Sequence, residues 1–123
     1  MPSFIARVIA RERPIEVWGD GSQTRNLIHA ADVASAIMAA LAHDKGYAAY
    51  NVATPKSVSV NEVLRALLDI DRFVDAEVVH LLDRPGGASA LAVSATAFSE
   101  RFGWKPTYSL REGLADKIGR AHV

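Results

Sequence analysis

Apolar residues recur at helical spacing in three stretches of the chain, a capping box marks the start of a further helix, and one more segment between them reads as helical. In the first, Phe4, Ile5, Val8 and Ile9 line one face, Arg7, Arg11 and Arg13 fall mostly elsewhere, and Pro14 closes the segment. In the second, Asp32 stands at the expected N-cap, and Val33, Ala36, Ile37, Ala40 and Leu41 follow the rhythm of a buried stripe. The third opens with a capping box, Ser59-Val60-Asn61-Glu62, in which the Ser and Glu side chains satisfy each other's otherwise unpaired backbone N–H groups. Val58 and Val63 are placed as a hydrophobic staple, and Val60, Val63, Leu64, Leu67 and Leu68 continue the stripe. Ser94 to Phe102 reads as a fourth helix stopped by Gly103, and a second capping box, Ser109-Leu110-Arg111-Glu112, starts a short last one.

Shorter runs bounded by turn residues predict strands at Ile15–Trp18, Asn26–His29, Tyr50–Val52 and Glu77–Leu81. Helices and strands alternate, which makes the class α/β. The helices carry apolar stripes suited to more sheet than four short strands supply. An exposed apolar face is therefore expected.

Composition narrows the function classes. Half of the 123 residues are hydrophobic, enough for a core, and 14 basic residues balance 14 acidic ones without any charged block. No nucleic-acid or membrane partner is expected from that balance. The longest apolar-leaning run, Ala30 to Ala42, is interrupted by Asp32 and Ser35 and is too short to span a bilayer. The chain has no cysteine, which removes disulfides and thiolate chemistry and agrees with a cytoplasmic location.

Candidate chemistry is sparse. Gly19-Asp20-Gly21 follows a strand but lacks the third glycine of a dinucleotide fingerprint. It also leads toward a strand, where a pyrophosphate site needs a helix N-terminus, so a tight turn is expected. Four residues beyond Tyr47, Tyr50 and Tyr108 stand Asn51, Thr54 and Glu112, so no tyrosine has the lysine that would lower its pKa for proton transfer. His29, His43, His80 and His122 show no metal-ligand spacing, and His29 with Asp32 suits a strand-to-helix junction. No catalytic, NAD-binding or metal-binding residue is therefore expected in this chain. Arg25, after the glycine turn, could reach a phosphate with paired N–H donors, and Arg84 lies in the Asp83-Arg84-Pro85-Gly86-Gly87 loop. Residue by residue, the commoner reading is a solvated charge for each arginine and a packing aromatic for Trp18.

Taken together, these pieces resemble the extended short-chain dehydrogenase/reductase family, specifically the second half of its nucleotide-sugar epimerases and 4,6-dehydratases. The resemblance runs from Pro2, Phe4, Ile5 and Pro14 through Arg25, then Ile28 through Ala36 and Tyr50 through Val63. It continues with Asp83 to Gly86 and Phe102 through Leu114. It implies a C-terminal substrate-binding part, residues 1–117, lacking the N-terminal Rossmann sheet that binds NAD and carries the Tyr/Lys pair. Residues 118–123 resemble a translated sequencing adapter and are expected to be a non-native tail. By the same resemblance, Arg25 would hold the pyrophosphate of a nucleotide-sugar, Trp18 would lie against the base, and Arg84 would reach phosphate or ribose. Tyr50 to Val52 would join the Rossmann sheet.

The implied parent is a homodimeric, NAD-dependent enzyme that oxidises the sugar at C4 before 4,6-dehydration or 4-epimerisation. This chain alone is expected to be inert and to bind no NAD. A non-catalytic binding module and a reductase of the same superfamily are the rival readings. Three departures bear on the nucleotide. Gly87 stands where the family usually has Asp or His, Ser94-Ala95-Thr96-Ala97 replaces a frequent Asp-x-Ser-Lys, and Asn26 replaces a frequent Asp.

Overall fold

The computed structural model describes residues 2–43 and 46–122. In chain order the elements are α1 (Pro2–Ile9), β1 (Ile15–Trp18), β2 (Thr24–Arg25), α2 (Ala30–His43), β3 (Val58–Ser59), α3 (Val60–Ile70), β4 (Val78–Leu81), β5 (Ala90–Leu91), α4 (Thr96–Phe102) and α5 (Leu110–Ala121). Strands β1 and β4 pair in parallel, Ile15 opposite Val78 and Trp18 opposite Leu81. A second small sheet has the order β3-β2-β5, with β2 antiparallel to β3 and parallel to β5.

Three amphipathic helices make the main core. Val8 of α1, Val63, Leu64 and Leu67 of α3, and Leu114 and Ile118 of α5 meet Ile15 and Val17 of β1. Both capping boxes form as their sequences predict. Ser59 Oγ accepts the Glu62 N–H while Glu62 Oε2 accepts the Ser59 N–H, and Ser109 and Glu112 do the same. Each of these glutamates is held below the ordinary carboxylate range, chiefly by the serine backbone N–H. Helix α4 ends at Gly103, whose φ of +64° closes the helix in the left-handed region. Helix α5 runs on past Lys117, and Ile118 is buried in the core; Val123 lies outside the described residues.

The second helix departs from its sequence reading. It begins at Ala30, so Asp32 sits inside the first turn and is not the N-cap; His29 takes that place, its Nδ1 accepting the Ala31 N–H at 3.2 Å. Asp32 is instead buried. Its Oδ1 accepts the Thr107 N–H at 2.9 Å and the Thr107 hydroxyl at 2.8 Å, and its Oδ2 accepts the Tyr108 N–H at 3.0 Å. Burial alone would raise its pKa, but those donors outweigh it and hold the carboxyl below its ordinary value. The apolar stripe of α2 is buried only at Ala36. Ile37 and Leu41 are 55% and 73% exposed, because α4 and Trp104 cover one side of the helix alone.

Two predicted strands are also absent. Residues 26–29 leave the ladder because the Asn26 side chain takes over its work. Its Nδ2 donates to Thr54 O, and its Oδ1 accepts from the Val93 N–H and the Ser57 hydroxyl. Tyr50 to Val52 has no neighbouring strand among the described residues, and the Tyr50 ring packs edge-on against Phe98 and Phe102.

Candidate functional site

Two parallel strand pairs decide which loops meet. Because β1 runs beside β4 and β2 beside β5, the turn joining β1 to β2 lies against the loop joining β4 to β5. Trp18, Arg25 and Arg84 all sit on or next to these two connections. The contact is close. A Cβ on Gly86 would stand 3.2 Å from Trp18 O and 3.1 Å from Gln23 Nε2, and one on Gly19 would stand 3.2 Å from Gly86 Cα.

The first connection is a tight turn that leads into β2, as its sequence predicts. Asp20 Oδ1 accepts the Ser22 N–H and hydroxyl at 2.9 and 2.6 Å, with the hydroxyl bond the larger cause of its lowered pKa. The first amides of α3 are spent on the turn itself, Asn61 N–H donating to Gly21 O and Val60 N–H to Gln23 O, each at 3.1 Å. They are not open to a phosphate. The Asn61 side chain adds a latch. Its Nδ2 donates to Asp20 O at 2.8 Å and its Oδ1 lies 2.9 Å from His80 Nε2 on β4.

The three predicted residues converge on the second connection. Arg25 is half-buried, and its Nη1 donates to Thr24 O at 2.6 Å and to Ala88 O at 2.9 Å, which holds the guanidinium against the Gly86-Gly87-Ala88 backbone. Gly87 lies beside Nη2, where even a Cβ would come no nearer than 3.6 Å. Arg84 places its guanidinium carbon 5.7 Å from the Trp18 ring centroid, within cation–π range, while Trp18 stays 52% exposed. An anchored arginine thus lies against one end of this loop, and at the other a second cation lies over an exposed aromatic. That set can bind an anion joined to a flat ring.

Residues that the sequence did not mark complete the surroundings. Ile15 N–H donates to Glu77 O and Gly19 N–H to Leu81 O, so odd-numbered backbone groups of β1 face β4 and even-numbered ones face away. On that outer edge Glu16 O accepts from Arg7 Nη1 at 3.2 Å and Trp18 O from Gln23 Nε2 at 3.3 Å. These side chains border a cleft of about 300 Å³ that also includes Phe4 and Trp18. Their roles depend on contacts far apart in sequence, and no spacing rule marks them.

Two other features carry less chemistry. His29 Nε2 lies 3.2 Å from Asp116 Oδ2, and the ring stacks on Tyr108 at 4.0 Å between centroids. Nδ1 accepts the Ala31 N–H at 3.2 Å while Nε2 faces Asp116, so both ring nitrogens are engaged within the protein. His29 does stand at the start of α2, but it pairs with Asp116 and not with Asp32. An apolar groove of about 1050 Å³ runs between α1 and α5 past His29. Although it is the larger cavity, Lys117 is its one lysine or arginine, so it suits a pyrophosphate less well than the Trp18 surface. Among the described residues, no cluster of His, Asp or Glu is placed to hold a metal, and no helix is long and apolar enough to cross a membrane.

Comparison with known proteins places this surface in context. The family described as GDP-mannose 4,6 dehydratase matches residues 1–117. A dTDP-glucose 4,6-dehydratase of Xanthomonas campestris pv. campestris is 30% identical over 127 residues, spanning 96% of this chain and 36% of that protein. A dTDP-4-dehydro-6-deoxy-D-allose reductase of Streptomyces bikiniensis is 37% identical over 94% of this chain and 34% of its own length. Among solved structures, the UDP-glucose 4-epimerase of Thermotoga maritima with UDP-glucose superposes with a TM-score of 0.85. It is 28% identical, and the match covers 98% of this chain and 38% of that one. The chain thus spans about a third of the length of the relatives it matches.

Proposed function

The chain belongs to the GDP-mannose 4,6 dehydratase family and corresponds to the C-terminal portion of the extended short-chain dehydrogenase/reductase fold, and on that premise we propose that it binds the nucleoside-diphosphate end of a nucleotide-sugar. The observation that carries this reading is the convergence of Trp18, Arg25 and Arg84 on the loop from Asp83 to Ala88. Arg25 is oriented by two carbonyls through Nη1, which leaves Nη2 for an incoming phosphate at little further cost in side-chain entropy. Trp18 offers a face for the base, and base–aromatic stacking contributes roughly 1–3 kcal/mol. Arg84, already over that ring, adds a second positive charge for the pyrophosphate or ribose.

Residues 1–117 then act as the substrate-binding part of a longer NAD-dependent enzyme, homodimeric in our reading, and α5 carries the fold on through the buried Ile118. The reaction is oxidation at sugar C4 followed by 4,6-dehydration or 4-epimerisation. Neither the glycine turn nor the His29–Asp116 pair supplies a hydride acceptor or a free base, so this chain contributes binding and orientation. A reductase of the same superfamily is the second reading, favoured by the 37% identity to the Streptomyces bikiniensis protein.

The test is calorimetric titration of the chain with UDP-glucose and dTDP-glucose. Arg25→Ala should weaken binding by roughly 1.5–3 kcal/mol, the range for a hydrogen bond to a charged group, and Trp18→Ala by a similar amount. Unchanged affinity in both variants would remove the site from this surface.

A further inference from the structure

Arg7 has no part in the assignments above, yet it is the one cationic side chain on the cleft beside Trp18. It projects from α1 across the outer edge of β1. Its Nη1 donates to Glu16 O at 3.2 Å, and its Nε lies 3.7 Å from the Glu12 carboxylate. These two contacts come from separate segments, the turn after α1 and the strand itself, and together they orient the guanidinium along the strand edge. Its side chain is 33% exposed, and Nη2 donates to no protein group among the described residues. An oriented guanidinium with an unspent pair of N–H groups thus faces a small cleft whose walls include the Phe4 ring and the Trp18 indole. Gln23 lines the same cleft, its amide nitrogen donating to Trp18 O at 3.3 Å.

We propose that Arg7 is a specificity-determining residue of this site, donating through Nη2 to a carbonyl at the end of the nucleobase remote from the sugar. The inference rests on the reading of Trp18 as the base platform. With the pyrophosphate at Arg25 and the base at Trp18, the far edge of the base turns toward α1. Arginine has five N–H donors and no acceptor, and it stays charged at any working pH. It therefore accepts the ring carbonyl that uracil, thymine and guanine carry at that position. Cytosine and adenine present an amino group there, which sets donor against donor. A site built to hydrogen-bond one group discriminates against an analogue that leaves its polar group unpaired. The substrate class is accordingly the diphospho-sugars of carbonyl-bearing bases.

The experiment is calorimetric titration of the 123-residue chain with UDP, GDP, CDP and ADP. UDP and GDP should bind about tenfold more tightly than CDP and ADP, the equivalent of one hydrogen bond. Arg7→Met keeps the aliphatic stem and should weaken UDP and GDP by about that factor, with CDP unchanged. Arg7→Lys, which keeps a donor and a charge, should restore part of the preference; circular dichroism of both variants reports whether the fold is kept. Equal affinity for all four diphosphates, or an equal loss for all four in Arg7→Met, would overturn the role of Arg7 while leaving the binding surface in place. If none of the four binds, or if Trp18→Ala and Arg25→Ala leave UDP affinity intact, the site reading fails and this inference falls with it.

Discussion

Replacing Gly21 by alanine tests the packing that sets Trp18 and Arg25 in place. Gly21 has a φ of +75°, and a Cβ built there would stand 2.0 Å from Asn61 Oδ1. Two penalties follow. An L-residue in the left-handed region costs about 1 kcal/mol. The collision also drives the Asn61 side chain from its bonds to Asp20 O and His80 Nε2, each with a net contribution of about 1 kcal/mol. Gly21→Ala should therefore destabilise the chain by about 3 kcal/mol. Gly103 is the control, since its φ is +64° but no atom lies within 4 Å of the added Cβ. Gly103→Ala should cost only the backbone penalty, about 1 kcal/mol. Asn61→Ala should cost about 2 kcal/mol, and the double variant with Gly21→Ala about 3, well short of the additive 5. Urea unfolding followed by circular dichroism gives all four values. Equal costs for Gly21→Ala and Gly103→Ala, or additive costs in the double variant, would refute the collision. The same substitution should lower affinity for UDP-glucose, because Trp18 and Arg25 stand on either side of the displaced turn.

Asp32→Ala should destabilise the chain by about 3 kcal/mol in thermal or urea unfolding, because two backbone N–H groups and the Thr107 hydroxyl lose their acceptor. A loss below about 1 kcal/mol would mean that water replaces the carboxylate. The lowered pKa of Asp32 also gives the pH dependence a sign. Its contribution is complete above the unfolded value of about 3.9 and is lost as pH falls through the lower folded value. Asp20, Glu62, Glu112 and Asp116 shift the same way, the last mainly through His29, so the unfolding midpoint should fall steeply below about pH 4. Asp32→Ala should flatten that fall, and an unchanged profile would contradict the assignment. Gly119→Ala, within α5 and with open space around its Cβ, should stabilise by about 0.5–1 kcal/mol through reduced chain entropy, as the midpoint of thermal unfolding would report.

The sequence by itself determined whatever depends on a few neighbouring residues. Ser59 with Glu62 and Ser109 with Glu112 reach each other across three positions, so both helix starts were readable without knowing what the helices pack against. The α3 stripe and the Gly103 stop were legible for the same reason. Trp18, Arg25 and Arg84 could be marked through family resemblance, but only the tertiary structure set Arg25 and Trp18 against the loop that carries Arg84, because β1 pairs with β4 and β2 with β5 across more than sixty residues. Asp32 shows the limit most directly. As a helix-start carboxylate it reads as an N-cap, yet its acceptors are filled by Thr107 and Tyr108, some 75 residues away. Exposure of Ile37 and Leu41, the grip of Asn61 on the glycine turn and the reach of Arg7 to Glu16 are likewise contacts between segments. Local rules carry the free energy of a turn or a cap, whereas burial and pairing between distant segments depend on which surfaces the fold brings together.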